Sequence, residues 1–125
     1  NLYENLKIEN FSVLPGSELK LLNSLELGCG GIITATCNVT AAISRKVYED
    51  FFNKKTQTVN ELLCNVRSVF DQFNLISGLH SFLSEEDKIY RNILPPLSLL
   101  NEKDKKKLTE DLRKLNFKLG PLKAA

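Results

Sequence analysis

The chain has 125 residues, 42% of them hydrophobic, so its length matches one ordinary domain and its composition is sufficient for a sizeable core. The 17 Lys and Arg residues against 15 Asp and Glu residues give a net charge of +2, which is too even to indicate a nucleic-acid or membrane-surface partner. Three cysteines form no CxxC pair, no signal peptide opens the sequence, and no apolar stretch approaches the roughly 18 residues of a membrane span, so we expect a cytoplasmic protein with reduced thiols.

The N-terminal part of the chain predicts a strand, a helix and a second strand. Residues 11–14 are a short apolar run closed by Pro-Gly, a pair typical of turns. Ser17 is a suitable N-cap for a helix that ends at Gly28, the usual left-handed C-cap residue, with an apolar stripe made of Leu19, Leu21, Leu22 and Leu25. Residues 32–39 are mostly β-branched or small, which favours a second strand. Two strands joined by a helical crossover lie parallel, so this part predicts one βαβ unit.

This βαβ unit is too small to be a whole sheet. Two strands with nothing on their outer edges leave rows of backbone amide and carbonyl groups unpaired, and such pairs are only marginally stable in water. The residues from Thr40 onward offer helices and no further convincing strand. We therefore expect the missing strands to lie before Asn1 or on another chain.

The rest of the chain predicts helices. Apolar residues recur at helical spacing in three segments, residues 41–53, 58–73 and 75–84. Ser84 begins a Ser-Glu-Glu-Asp sequence that resembles a capping box and predicts another turn of helix. The Leu-Pro-Pro-Leu sequence at 94–97 is expected to be extended, because proline disfavours helical conformation in the residue before it. Asn101 predicts the cap of a last helix, whose inner face carries Leu108, Leu112 and Leu115.

Residue types that often carry chemistry have simpler structural interpretations in this sequence. His80 is the only histidine, and no acid or nucleophile is placed to form a triad with it. Cys37 has no accompanying histidine, so we interpret it as a packing residue. The glycine-rich residues 28–31 follow a helix and precede a strand, the reverse of the order in a phosphate-binding loop. The lysines at 103 and 105–107 alternate with acids, which predicts a solvated helix face.

Most of the chain resembles one known family. The sequence VLPG at 13–16, the helix that ends in a glycine and the sequence GIITATCNV at 31–39 are similar, with matching spacing, to the seventh strand, seventh helix and eighth strand of the dihydrodipicolinate synthase and N-acetylneuraminate lyase family of (β/α)8 barrels. LISGL at 75–79, followed by LPPL at 94–97, is similar to the family's last helices and its PPL segment. The resemblance implies an α/β fold, in which residues 1–57 are the last two strands of a TIM barrel with their helices and residues 58–125 are the family's C-terminal helical extension. Because such barrels run to about 250 residues, we expect this chain to be about the C-terminal half.

The same resemblance implies a class I lyase or aldolase. In the family, a lysine on the sixth strand forms a Schiff base with pyruvate or another 2-oxo acid, and a tyrosine on an earlier strand relays protons. Both positions precede Asn1, so the chain as given is expected to hold no catalytic nucleophile and to be inactive alone. The resemblance also implies no cofactor and no metal, a homotetramer completed by the N-terminal half of the barrel, and a cytoplasmic location.

The resemblance assigns substrate contacts to five residues. Gly16, Ser17 and Glu18 match family positions that contact the substrate; Gly16 allows close approach of the backbone, although it also fits a plain turn glycine. Glu18 matches an acid that accepts hydroxyl hydrogen bonds in sugar-acid lyases; the alternative is a first-turn acid favoured by the helix dipole. Ile33 matches the residue whose main-chain carbonyl lies beside pyruvate. Ala35 lies where sialic-acid lyases carry a substrate-binding serine.

Three functions stay open. The first is a dihydrodipicolinate synthase-like activity on pyruvate, although that branch usually has an acidic pair where this chain has Ser17 and Glu18. The second is cleavage of N-acetylneuraminate or a 2-keto-3-deoxy sugar acid, which Ala35 makes less favourable. The third, from another class, is a non-catalytic helical interaction module in which residues 58–73 bind a partner.

Overall fold

The computed structural model describes residues 11–119, and this part of the chain forms five α-helices and two short 3₁₀ turns. A 3₁₀ turn at Glu18–Lys20 leads directly into α1. The helices are α1 (Leu21–Glu26), α2 (Cys37–Phe52), α3 (Asn60–Phe70), α4 (Leu75–Leu83) and α5 (Glu102–Lys114). The second 3₁₀ turn, Lys88–Arg91, lies between α4 and α5. No helix within residues 11–119 is both long and apolar enough to cross a membrane.

The predicted α/β fold class is wrong for the described residues, which form no strand and no sheet. Two non-helical segments do lie side by side, since the Gly30 amide donates to the Val13 carbonyl and the Ile33 amide to the Pro15 carbonyl, both at 3.1 Å. From the first hydrogen bond to the second, the donor and the acceptor both move toward the C-terminus, so the two segments run in the same direction. Two hydrogen bonds are too few for a ladder, and within residues 11–119 nothing pairs with the outer edges.

The end of the second predicted strand is the first turn of a helix. Cys37, Asn38 and Val39 belong to α2, which begins four residues before the predicted start at residue 41. The Cys37 amide donates to the Thr34 hydroxyl at 3.1 Å and to the Thr34 carbonyl at 3.3 Å, so the turn before α2 satisfies an amide that has no partner within the helix. Residues that β-branched composition assigned to the end of a strand thus begin a helix, because strand propensity depends strongly on context.

The other predicted helices are found close to their expected positions. The segment predicted at 58–73 forms α3, and the one predicted at 75–84 forms α4. The Ser17 cap is confirmed, because its hydroxyl accepts from the Leu19 amide at 3.3 Å. Gly28 has φ +87°, as expected after a helix end. The Asn101 cap is also confirmed, because its side-chain oxygen accepts from the Asp104 amide at 2.8 Å.

Two local predictions between α4 and α5 are wrong. Ser84 does not begin a helix; its hydroxyl donates back to the Ser81 carbonyl at 2.8 Å, and Asp87 caps the following 3₁₀ turn instead. Residues 94–97 form a turn rather than an extended segment. The Leu97 amide donates to the Leu94 carbonyl at 3.1 Å across a cis Pro95-Pro96 bond. Proline keeps this segment out of a helix, as expected, but it also favours turns.

The core consists of two hydrophobic clusters joined by α3. The smaller cluster packs α1, α2 and α3 together through Leu21, Leu25, Val47 and Leu63. The larger one joins α2 to α5 and is built from Val39, Val66, Val69, Phe70, Leu79, Leu83, Leu108, Leu112 and Phe117. The predicted stripe of the first helix is only partly buried, since Leu19 is 48% exposed. Each cluster contains residues from both sides of residue 57. The division of the chain into residues 1–57 and 58–125 stays a prediction. Residues 1–10 and 120–125 lie outside the described part.

Candidate functional site

Glu18 lies at the centre of a buried polar cluster. Its side chain has no solvent exposure, and one oxygen, Oε1, accepts hydrogen bonds from Thr34 Oγ1 at 2.7 Å, from Thr40 Oγ1 at 2.9 Å and from Thr36 Oγ1. The other oxygen, Oε2, accepts from Arg67 Nη1 at 2.8 Å. Three threonine hydroxyls and one guanidinium therefore replace the water that this carboxylate loses on folding.

Local structure explains how these five side chains meet. Ser17 caps the 3₁₀ turn and thereby starts it at Glu18, whose side chain points inward from the first turn. Thr34 and Thr36 lie on the loop before α2, and Thr40 lies in the first turn of that helix. On α3, Arg67 follows the fully buried Val66 and is itself only 12% exposed.

The cluster favours the charged form of Glu18. Burial alone would raise the pKa of this carboxyl, but hydrogen bonds from Thr36, Thr34 and Arg67 outweigh burial and hold the pKa below its ordinary value of 4.5. Glu18 is therefore an ionised carboxylate at neutral pH. Burial, together with the negative charge of Glu18, raises the pKa of the nearby Cys64 thiol, so Cys64 stays protonated.

The guanidinium of Arg67 is fixed from two sides. Nη1 donates to Glu18 and also to Thr36 Oγ1 at 3.3 Å, while Nε donates to Asp71 Oδ1 at 2.8 Å. Burial would lower the pKa of Arg67, but the hydrogen bonds to Glu18 and Asp71 raise it, so the side chain stays charged. The ion pair between Arg67 and Glu18 joins α3 to the 3₁₀ turn before α1.

Gly16, Ser17 and Ile33 lie together on the surface above this cluster. A Cβ atom built on Gly16 would lie 3.8 Å from the main-chain carbonyl oxygen of Ile33, and the Ile33 amide donates to the carbonyl of Pro15. The Ile33 side chain is 70% exposed and points away from the core. The structure thus brings the predicted glycine and the predicted main-chain carbonyl side by side, while Ser17 acts as the helix cap.

Glu18 and Ala35 are placed differently from these three residues. The Glu18 carboxylate is enclosed by protein groups and has no exposed surface in the described part of the chain. Its predicted contact with a substrate therefore stays a prediction. Ala35 lines a separate cavity of about 260 Å³, together with Asn38, Ile76, Leu79, His80, Leu83 and Tyr90.

His80 and Cys37 make contacts that suit packing. His80 Nδ1 lies 2.8 Å from the Tyr90 carbonyl oxygen, a hydrogen bond that joins α4 to the second 3₁₀ turn. Cys37 Sγ lies 3.8 Å from Ser44 Oγ within α2. Across the described residues, no group of three or more His, Cys, Asp or Glu side chains is arranged to hold a metal ion.

Sequence reasoning missed four members of the buried cluster, Thr34, Thr36, Thr40 and Arg67. A signal was available for Arg67: on α3 it stands next to Val66 and four residues after Leu63, at the edge of an apolar stripe. A charged side chain at such a position needs a buried partner of opposite charge. The threonines were harder to identify from sequence, because β-branched residues such as these also favour a strand.

Comparison with known proteins places these observations in a family. A sequence profile described as the dihydrodipicolinate synthetase family matches residues 2–115. In structure, the chain is similar to the crystal structure of dihydrodipicolinate synthase DapA-2 from Bacillus anthracis, with a TM-score of 0.78 and 19% sequence identity. The similarity covers 90% of this chain and 40% of that one, so the chain spans less than half the length of the protein it resembles. No curated protein sequence matches the chain. Because the profile extends over most of its residues, the chain belongs to the dihydrodipicolinate synthetase family.

Proposed function

We propose that the complete polypeptide carrying this chain is a class I lyase or aldolase, in which a lysine forms a Schiff base with pyruvate or a related 2-oxo acid. The family match over residues 2–115 is the observation that carries this proposal. The chain spans 40% of the related synthase, and we place the reactive lysine and the proton-relay tyrosine in the part of the polypeptide outside these 125 residues. We further propose a cytoplasmic homotetramer that needs no metal or cofactor.

The proposed chemistry depends on an unprotonated lysine. Its amine adds to the ketone carbon of the 2-oxo acid, and loss of water leaves an imine. Once protonated, the imine withdraws electrons far better than the ketone, so a carbanion equivalent forms at the adjacent carbon or a carbon–carbon bond breaks there. Borohydride reduces the imine to a stable secondary amine, which makes this intermediate measurable.

Within this chain, the proposed substrate-facing groups are the Gly16–Ser17 turn and the main-chain carbonyl of Ile33, with Ala35 nearby in sequence. Gly16 supports this role because its missing side chain leaves the Ile33 carbonyl oxygen accessible. A main-chain carbonyl oxygen accepts hydrogen bonds, so it is suited to face an N–H or O–H donor, such as the protonated imine, rather than the carboxylate of the acid. Among the substrates that the family allows, we favour the synthase-like use of pyruvate, since the similar structure is a dihydrodipicolinate synthase.

Borohydride trapping tests the proposal on the complete polypeptide. With pyruvate and borohydride, we expect one lysine to gain a covalent adduct detectable by intact-mass and peptide mass spectrometry. Lactate is the matched control, because it has no ketone and forms no imine. Absence of an adduct with pyruvate would contradict the aldolase assignment and favour the non-catalytic interaction module.

Two glycine variants test the proposed site. Gly16→Ala places a methyl group beside the Ile33 carbonyl, and we expect a higher half-saturating concentration of pyruvate with unchanged stability, since the nearest atom is 3.8 Å away. Gly30→Ala is the control, because its added Cβ also meets only ordinary contacts, the nearest at 3.6 Å. Equal pyruvate saturation in both variants would place the substrate elsewhere.

Turnover with aspartate semialdehyde, sialic acid and deoxy-sugar acids then separates the synthase from the sugar-acid lyases.

A further inference from the structure

We propose that Glu18 and Arg67 are positioning residues whose buried ion pair fixes the Ile33 carbonyl next to Gly16. This inference rests on the proposed function of the Gly16 turn. It assigns Glu18 a role through its neighbours, since its carboxylate has no exposed surface with which to touch a substrate.

The covalent connections of the cluster define what it positions. Glu18 lies two residues after Gly16, and Thr34 directly follows Ile33. Because Thr34 Oγ1 donates to Glu18 Oε1 at 2.7 Å, a single carboxylate ties together the two loops that carry the proposed substrate-facing groups. A backbone hydrogen bond from Ile33 to Pro15 completes the connection on the surface side. Movement of Glu18 therefore moves the Ile33 carbonyl relative to Gly16.

Arg67 supplies the rigid support for this connection. It projects from α3, whose neighbouring residues Leu63, Val66 and Phe70 are fully buried in the core. Its planar guanidinium bonds to Glu18, Thr36 and Asp71 at once, so neither the carboxylate nor the loop before α2 can rotate independently. A lysine at this position would keep the charge but lose the planar fork.

A double-variant design separates positioning from stability. Arg67→Met alone leaves a buried carboxylate without its cation, whereas Glu18→Gln with Arg67→Met removes both charges and is expected to recover most of the lost stability. We measure unfolding, together with the maximal rate and half-saturating pyruvate concentration of borohydride-trapped adduct formation, in the complete polypeptide. Arg67→Lys, which keeps the positive charge, is the further variant should either methionine variant fail to fold.

The expected result is a recovery of stability without a recovery of rate. We expect the double variant to unfold near the wild-type midpoint and to form adduct on the order of a hundred-fold more slowly, because small displacements of oriented groups cost rates of that size. The loss falls more on the maximal rate than on pyruvate saturation, and Arg67→Lys falls between the double variant and wild type. Amide hydrogen exchange should accelerate at Ile33 and stay unchanged at Gly30, whose amide bonds to Val13 outside the cluster.

Two outcomes overturn the inference and are distinct from each other. If wild-type protein forms no pyruvate adduct, the proposed function fails and the positioning role fails with it. If wild-type protein forms the adduct and a stably folded variant without the ion pair, either the double variant or Arg67→Met alone, does so at the wild-type rate, the ion pair is structural only. In that second case the proposed function stands.

Discussion

A carboxylate without solvent contact keeps its charge only when protein groups replace the water it has lost. Glu18 meets this requirement with three hydroxyl donors and one guanidinium, and each donor comes from a part of the chain that is distant in sequence. The cluster thus makes one side chain the meeting point of the 3₁₀ turn, the loop before α2, and α3. The cluster affects stability most when one partner is removed, because an unpaired buried charge costs far more free energy of folding than the absence of both charges.

Removing Arg67 tests how much this ion pair contributes to the free energy of unfolding. Arg67→Met is expected to lower the free energy of unfolding by about 3–5 kcal/mol, because it leaves the buried Glu18 carboxylate without its cation. Arg45→Met is the matched control: Arg45 also bonds an acid four residues later on a helix, but it and Glu49 are 68% and 52% exposed. That control is expected to cost at most about 0.5 kcal/mol. Urea denaturation of both variants measures the difference, and equal losses would contradict a buried role for Arg67.

Low pH should lower the free energy of unfolding by protonating the Glu18 carboxylate. The pKa of Glu18 is lower in the folded chain than its ordinary 4.5, so the stability it contributes is fully present above 4.5 and is lost as the pH falls through the lower folded value. Glu18→Gln should therefore flatten the dependence of unfolding free energy on pH in this acidic range. Asp111→Asn should keep most of that dependence, because the lysine partners of Asp111 are 52% and 70% exposed and solvent screens them. A Glu18→Gln variant with an unchanged pH profile would refute this account.

Element boundaries in this chain are set by caps and by left-handed residues as much as by periodicity. At the end of α1, Gly28 has φ +87°, a conformation that a residue with a Cβ adopts only with strain. Gly28→Ala is expected to cost about 1–2 kcal/mol for this reason. Gly30→Ala, two residues later, has no left-handed φ and should change stability little. Thermal unfolding of the two variants compares them, and equal midpoints would show that the backbone at 28 relaxes without cost.

Local sequence patterns were sufficient to predict several helices and their caps. The stripe of residues 58–73 predicted α3, and the capping residues Ser17 and Asn101 were identified correctly, because these signals are local. The strand predicted to end at Val39 was wrong, because residues 37–39 already belong to α2 and strand propensity depends strongly on context. The buried cluster was not predictable from spacing, because Glu18 and Arg67 are separated by 49 residues and meet only through tertiary packing.

The two non-helical segments expose large apolar side chains. Phe11, Leu14 and Ile33 are 56%, 42% and 70% exposed, although all three lie within residues 2–115, which match the family profile. Apolar side chains in such a group are typical of a surface that another element covers. Because the chain spans 40% of the related synthase, we propose that the remainder of the polypeptide covers these residues. The family was recognisable from sequence, whereas this proposed burial depends on residues outside the chain.

A pair of isoleucines tests that burial in the complete polypeptide. Ile33 and Ile89 are 70% and 64% exposed here, so substitution of either by serine removes little contact within this chain. If other residues cover Ile33, Ile33→Ser should lower the free energy of unfolding by about 1.5–3 kcal/mol, the value of one buried aliphatic side chain. Ile89→Ser, in the second 3₁₀ turn, should stay within about 0.5 kcal/mol of wild type, as surface substitutions usually do. Denaturant titration distinguishes the two cases, and an unchanged Ile33→Ser variant would mean that this face stays open to solvent in the complete protein.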